Sequence, residues 1–450
     1  MGAPIRRPAP PGGMAERWLY GWGLGSVALG GASLVAPLYV VELGGGPFVL
    51  GVLAAVAAVV GVPAALGAGR IADRTGKNRE IVLAMLALVA VGIAVIPLTD
   101  RVTPVVLANG AIWFAFAAAT PVLTLLAVAD APESAWSERI ALLNQYQGIG
   151  WALGLLLGAV WTGVGGRFLP PEAVIRLLFV PLAVCAALGL LLGIRTLPAD
   201  PGPGADRRAS GTRLRRAIRA ADRFSVRTAA FPFTVGRADF RGLHPRRFAE
   251  RFTPALALYF LAVFCVFAGF AVFFAPLPAF LTEVGFGSDG VFALYLINGV
   301  AAAAFFGAAG RLTADRDAAL LQIASLSTRA VVFPVVALVG AAWGAATLGF
   351  GAAAVAFAVI GVTWAVIAVT GGTLVTRLSP LSIRGEALGT HAALGALAGG
   401  VGSVAGGWLA AASYGVAFGA AGGLVTLGAA LVLLVRRYAA AAQPVGGAAG

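Results

Sequence analysis

Four ionisable side chains stand within, or close the ends of, long apolar runs: Glu42, Glu283, Arg329 and His391. A charge is expensive in hydrocarbon, so each is a candidate for chemistry by default. Glu42 and Glu283 are either proton acceptors at an outer mouth or water-facing residues at a helix end, where charge costs little. Arg329 either binds an anionic group or donates to carbonyls in a helix contact. His391 either titrates near neutral pH or packs as a hydrogen-bonding residue. No acid falls at the middle of any apolar run. Cys185 and Cys265 show neither CxxC nor Cys/His spacing, and the chain has only 2 histidines, so no metal, cofactor or acid/base cluster is expected. No P-loop is present, which argues against nucleotide-driven pumping; no enzymatic activity is expected.

The elements that hold these groups follow from composition. The chain of 450 residues is 60% hydrophobic and 11% charged, against roughly a quarter charged in a soluble domain. Apolar runs near the twenty or so residues that cross a bilayer recur down the chain. Spans 1 to 6 are expected near 17–41, 48–68, 80–98, 103–129, 139–163 and 173–194, and spans 7 to 12 near 254–281, 290–309, 318–341, 345–375, 385–411 and 414–435. The fold class is therefore all-α integral membrane, with six-helix bundles over 17–194 and 254–435, tails at 1–16 and 436–450, and a central loop at 195–253.

Charge placement orients the chain. Of 32 Lys and Arg, 28 fall in the tails and even-numbered loops, 3 in the odd loops, and Arg329 within a span. Without the central loop the ratio is still 14 to 3. By the positive-inside rule both termini are cytoplasmic and the chain is a multi-pass protein of the cytoplasmic membrane. The membrane explains the net charge of +13, so no nucleic-acid partner is expected. Within the central loop, Leu214, Ile218 and Ala221 share a face over 212–224 opposite Arg213, Arg216 and Arg223. This segment is either a basic amphipathic helix on anionic lipid or a solvated linker.

The two halves repeat. Residues 36–74 read APLYVVELGGG…GAGRIADR and residues 275–316 read APLPAFLTEVGFG…GAAGRLTADR, with proline, acid, glycine and Asp-Arg in one order. Such a six-plus-six duplication is a transporter architecture with its site near the midplane between the halves. Gly69, Asp73, Arg74, Gly76 and Lys77 form a loop signature between spans 2 and 3 that resembles the major facilitator superfamily. The second copy keeps Gly310, Asp315 and Arg316 and lacks the later glycine. The resemblance implies a fold of two pseudo-symmetric bundles. It also implies that Asp73 faces the amino end of span 11 near residues 383–386, and that Asp315 faces span 5 near residues 137–139. There unpaired N–H groups favour an anion, and each contact closes the cytoplasmic side.

The resemblance further implies a cavity lined by spans 1, 4, 7 and 10, which directs attention to Trp22, Ser26, Asn109, Trp113, Thr124, Tyr259, Phe267, Trp364 and Thr370. Phe260, Phe264, Phe267 and Phe274 make one stripe that either stacks on an organic substrate or faces lipid, the latter favoured. Asn144, Gln145, Gln147 and Asn298 are expected to hydrogen-bond inside the bundle. Span 4 carries Asn109 where drug exporters of this family carry arginine, and a phosphorylated substrate would call for more inward cations than Arg329 alone. The expected activity is alternating-access secondary transport of a small neutral or amphipathic organic solute by a monomer, export favoured, with proton coupling through Glu42, Glu283 or His391. The alternatives are a passive facilitator and a lipid-handling, sensing or scaffolding relative that moves no solute.

Overall fold

The computed structural model describes residues 17–129, 136–199, 252–380 and 383–441. It contains 12 helices long and apolar enough to cross a membrane. Spans 1 to 6 are Trp18–Glu42, Pro47–Thr75, Asn78–Val95 (continued to Leu98 by one 3-10 turn), Val102–Val128, Trp136–Gly165 and Pro171–Thr196. Spans 7 to 12 are Pro254–Glu283, Ser288–Asp315, Ala318–Trp343, Thr347–Leu378, Arg384–Ala412 and Tyr414–Ala441. The tail 1–16 and the segment 212–224 lie outside the described residues, as does nearly all of the Arg-rich loop.

Spans 1 and 7 are central: 72% of the apolar stretch of each is buried, against 33% of that of spans 3 and 6. Leu98, Leu107, Leu338 and Trp408 are exposed large apolar groups on the periphery, the surface expected where lipid is the solvent. The proline shared by the two repeats acts differently in each half. Pro37 lies within an unbroken span 1. Span 7 runs as one span over Pro254–Glu283, as expected, but its helical hydrogen bonding is interrupted at Ala275–Pro276 before Leu277–Glu283. Pro276 and Pro278 fall within three residues and remove two backbone donors together.

The signature residues Gly69, Asp73 and Arg74 are not in a loop but in the last turns of span 2, and the connection is only Gly76–Lys77. Gly76 caps the helix with φ +72° and donates to the Ala72 carbonyl at 2.9 Å, a left-handed turn that glycine adopts without steric cost. The equivalent corner in the second half needs no glycine. Arg316 is extended there, and Asp317 caps span 9 by accepting from the amides of Ala319 (2.8 Å) and Leu320 (3.3 Å).

Arg436 of span 12 also donates to Asp317 at 2.7 Å. Burial pushes the Asp317 carboxyl up, but Arg436 and the two amides outweigh it and hold it below the ordinary carboxylate range. A depressed folded value stabilises above the unfolded pKa, and the benefit is lost as pH falls through the folded one. Both partners are 40% exposed, so the expected loss in Asp317→Ala is modest, about 1 kcal/mol. It should appear as a lower unfolding midpoint at pH 7, with the two proteins converging in acid as pH falls through the depressed Asp317 value. A gap of equal size at pH 7 and in acid would contradict this account.

Among the described residues, the close contacts between the halves fall on one face. On the face carrying the odd-numbered connections, a Cβ built on Gly51 of span 2 would lie 2.4 Å from the Ser403 carbonyl of span 11, and one on Gly407 would lie 2.5 Å from the Pro47 carbonyl. Span 5 meets span 8 there too, with Gly158 against the Phe292 ring, and the short second helix of span 7 packs on span 1. Further along, Gly400 is only in ordinary contact with Val59, at 3.7 Å. Near the even-numbered connections Gly67 and Gly69 of span 2 and Gly310 of span 8 have nothing within 4 Å of a Cβ. The two bundles therefore touch at one end and diverge toward the other.

Candidate functional site

In the N-terminal half, span 1 presents Trp22, whose ring stacks on Phe116 of span 4 at 5.7 Å and whose indole N–H donates to Gln147 of span 5 at 3.3 Å. Trp113 stands edge-on to Phe116 at 6.1 Å and tilted to Trp151 at 6.0 Å. Trp22, Phe116 and Trp151 are buried, while Trp113 is half-buried and forms the accessible edge of the cluster. Ser26 donates to the Trp22 carbonyl and Thr124 to that of Thr120, each within its own helix. Asn109 and Asn144 are buried. Gln145, expected inside the bundle, is instead exposed; one residue on from Asn144 turns it about 100° away from the buried face.

The C-terminal half brings together residues 132 positions apart in sequence. Tyr259 of span 7 is fully buried and exchanges a hydrogen bond with Gln322 of span 9, with 3.2 Å between hydroxyl and Oε1 or 3.1 Å to Nε2. His391 of span 11 stacks on Tyr259 at 6.4 Å and lies edge-on to Phe267 at 6.1 Å. A Cβ on Gly371 of span 10 would sit in ordinary contact, 3.6 Å from His391 Nε2 and 3.7 Å from the tyrosine oxygen, which places the histidine beside span 10. His391 and Phe267 are half-buried. Phe267 in turn meets Trp364 of span 10 edge-on at 6.2 Å.

The phenylalanine stripe departs from the lipid-facing expectation. Phe260 and Phe274 are buried, the first against Phe252 at 5.2 Å and the second against Phe273 at 5.1 Å. Phe273 also stacks on Phe333 at 4.0 Å and meets Phe418 at 4.8 Å. Rings from spans 7, 9 and 12 thus form the core of this bundle, where their area counts for more than against acyl chains.

Arg329 is 1% exposed. Its Nε donates to the Thr363 hydroxyl at 3.0 Å and its Nη2 to the Ile360 carbonyl, both on span 10. Its guanidinium carbon lies 4.4 Å from the Phe270 centroid, 5.5 Å from Trp364 and 6.0 Å from Phe333. The helix-contact reading of Arg329 accounts for two of its nitrogens. Each hydrogen bond from a charged group is worth about 1.5–3 kcal/mol and a desolvated ring contact about 2. These interactions offset a burial cost of several kcal/mol, but Nη1 and the neighbouring Trp364 Nε1 stay buried with no partner among the described residues. Asn298 of span 8 is buried too, and its Oδ1 accepts nothing there, contrary to expectation.

Of the rim acids, Glu42 is half-buried, and Glu283 is exposed and accepts a hydrogen bond from the Tyr414 hydroxyl. Asp315 is exposed on the open face. The side chain of Asp73 lies outside those described. Sequence reasoning missed Gln322, Thr363 and Phe270. Gln322 had a signal: it stands seven residues before Arg329, two helical turns along the same face of span 9.

Comparison with known proteins gives the same fold. Among solved structures, the nucleoside transporter NupG superposes with a TM-score of 0.69 at 13% identity, covering 95% of this chain and 100% of that one. A bacterial homolog of the human lysosomal transporter Spinster, inward-facing and unoccupied, gives 0.66 at 13% identity, with 96% and 98% covered. A POT family transporter in complex with a thioalcohol-conjugated peptide gives 0.65 at 12% identity, with 94% and 96% covered. No curated protein matches the sequence. The family model of the Major Facilitator Superfamily matches residues 3–135 and 113–399. With two bundles parted on one face, and a match across most of its length, the chain belongs to the Major Facilitator Superfamily, a family of small-solute transporters rather than enzymes.

Proposed function

We propose that this chain, a secondary transporter by family, carries a small neutral or amphipathic organic solute between two aromatic walls by rocking its halves. The observation that carries this reading is the pairing of accessible rings on opposite bundles: Trp113 in the first, Phe267 and His391 in the second, each half-buried on or beside a central span. Flat apolar rings with one imidazole suit a planar solute that stacks and makes few hydrogen bonds. With the Arg-rich connections in the cytoplasm, the parted face is the cytoplasmic one and this conformation is inward-facing. The chain then sits in the cytoplasmic membrane as a monomer with both termini inside.

A passive facilitator is the second reading, favoured by one fact: no carboxylate occupies the middle of any span. Flux into and out of proteoliposomes tests both readings, with a panel of nucleosides and aromatic amphiphiles and with an imposed pH gradient. Saturable flux that Trp113→Ala and Phe267→Ala each weaken supports the aromatic-wall site, and uphill movement on the gradient separates coupled from passive transport. No flux of any solute, together with a stable partner bound to residues 195–253, would favour the non-transporting alternative instead.

A further inference from the structure

Arg329 is the only charged side chain that is buried among the described residues. Its surroundings hold no negative charge. The described acids of the C-terminal half, Glu283, Asp289, Asp315, Asp317 and Glu386, all lie at helix ends or caps. The Thr363 hydroxyl that receives Arg329 Nε turns its own proton to the Val359 carbonyl at 2.8 Å, so it acts as a neutral relay to span 10 and not as a counter-ion. Two donors remain without a partner among the described residues, Arg329 Nη1 and Trp364 Nε1, on residues only 1% and 3% exposed. With the guanidinium carbon 5.5 Å from the indole centroid, the two donors belong to side chains in direct contact.

From this geometry we infer a site for a single monovalent anion, chloride or one carboxylate group, between spans 7, 9 and 10, held by Arg329 Nη1 and Trp364 Nε1. One unit of charge matches the one guanidinium, and a dianion would leave an excess in a wall of rings. A water molecule would satisfy both donors but leave the cation without a counter-charge. The rings of Phe270, Trp364 and Phe333 already lie against the guanidinium, which leaves its edge at Nη1 for the anion. The inference does not depend on which solute is transported.

The test uses the full chain purified in detergent with chloride replaced by isethionate. Sodium chloride or sodium acetate is titrated in at constant ionic strength, and unfolding midpoint and tryptophan emission are read together. Saturable rises in midpoint with a parallel change in emission are expected for the parent protein. The response should vanish in Arg329→Gln and shift to about tenfold higher anion concentration in Trp364→Phe, which keeps the ring and loses one hydrogen bond to a charged partner. Should Arg329→Gln not fold, Trp364→Phe decides alone. A response to chloride but not acetate identifies a resident inorganic ion; a response to acetate that chloride displaces identifies a carboxylate site. A flat titration of the parent, or an identical response in Trp364→Phe, overturns the inference.

Discussion

Valine at position 407 is expected to abolish most transport and to leave the protein in the membrane with its closed face pried open. A Cβ there would lie 2.5 Å from the Pro47 carbonyl and 3.0 Å from the Cα atoms of Phe48 and Gly51. All three are backbone atoms, which cannot rotate aside as a side chain would. Overpacking of this kind costs about 1–3 kcal/mol, and the two further methyls of valine place it at the upper end. The seam exists only while this face is closed, so the penalty falls on one state of the cycle and not on the fold. A shift of about 3 kcal/mol moves that equilibrium roughly 150-fold, and a transporter that cannot revisit one state stops. A cysteine at Leu50, 1% exposed in the sealed face, should resist thiol reagents in the parent and react in the Gly407→Val background. Gly419→Val, at a site with nothing within 4 Å, serves as the control. Undiminished flux with Leu50→Cys still protected would show that the seam does not gate.

Asp73→Asn should cut flux at least about fivefold with no loss of protein from the membrane. Its backbone occupies the last turn of span 2, on the parted face. If rocking brings that face together, the carboxylate meets the amino end of span 11, which begins at Arg384. A carboxylate on a helix amino end is worth about 1 kcal/mol, and up to about 2 in a partly buried setting. Asparagine keeps the shape and discards the charge, so the closed form of this face loses between about fivefold and thirtyfold in population. Asp315→Asn in the second repeat should act in the same direction on the approach to span 5. Wild-type flux in Asp73→Asn at equal protein level would remove the aspartate from the gating cycle.

The fold was legible because apolar length and the internal repeat are coarse, additive signals. The expected start of span 3 at residue 80 falls two residues from its observed start at Asn78, and Glu42 and Glu283 close their helices as the repeat requires. What was not legible depends on direction. An apolar run continues through Pro276 and Pro278, so hydropathy alone does not reveal the break in span 7. The Phe260 and Phe274 side chains read equally well as lipid-facing or as core until the partners from spans 9 and 12 are in place. Gln145 and Gln147 look alike in sequence, yet one turns outward and the other receives the Trp22 indole. Tyr259, Trp364 and His391 were each named singly. Only the packing shows that they share one cluster, with Gln322 as the missing member.

The unequal treatment of the repeated proline has a mechanical consequence. Span 1 is a single stiff rod through Pro37, whereas span 7 carries a joint at Ala275–Pro276, and the seven-residue tip beyond it is the part that rests on span 1. A door hung this way has one fixed jamb and one articulated leaf. Bending at that joint would move the tip against span 1 without sliding the glycine seams elsewhere on the face, so the sealed side is expected to start opening there, in the second half alone.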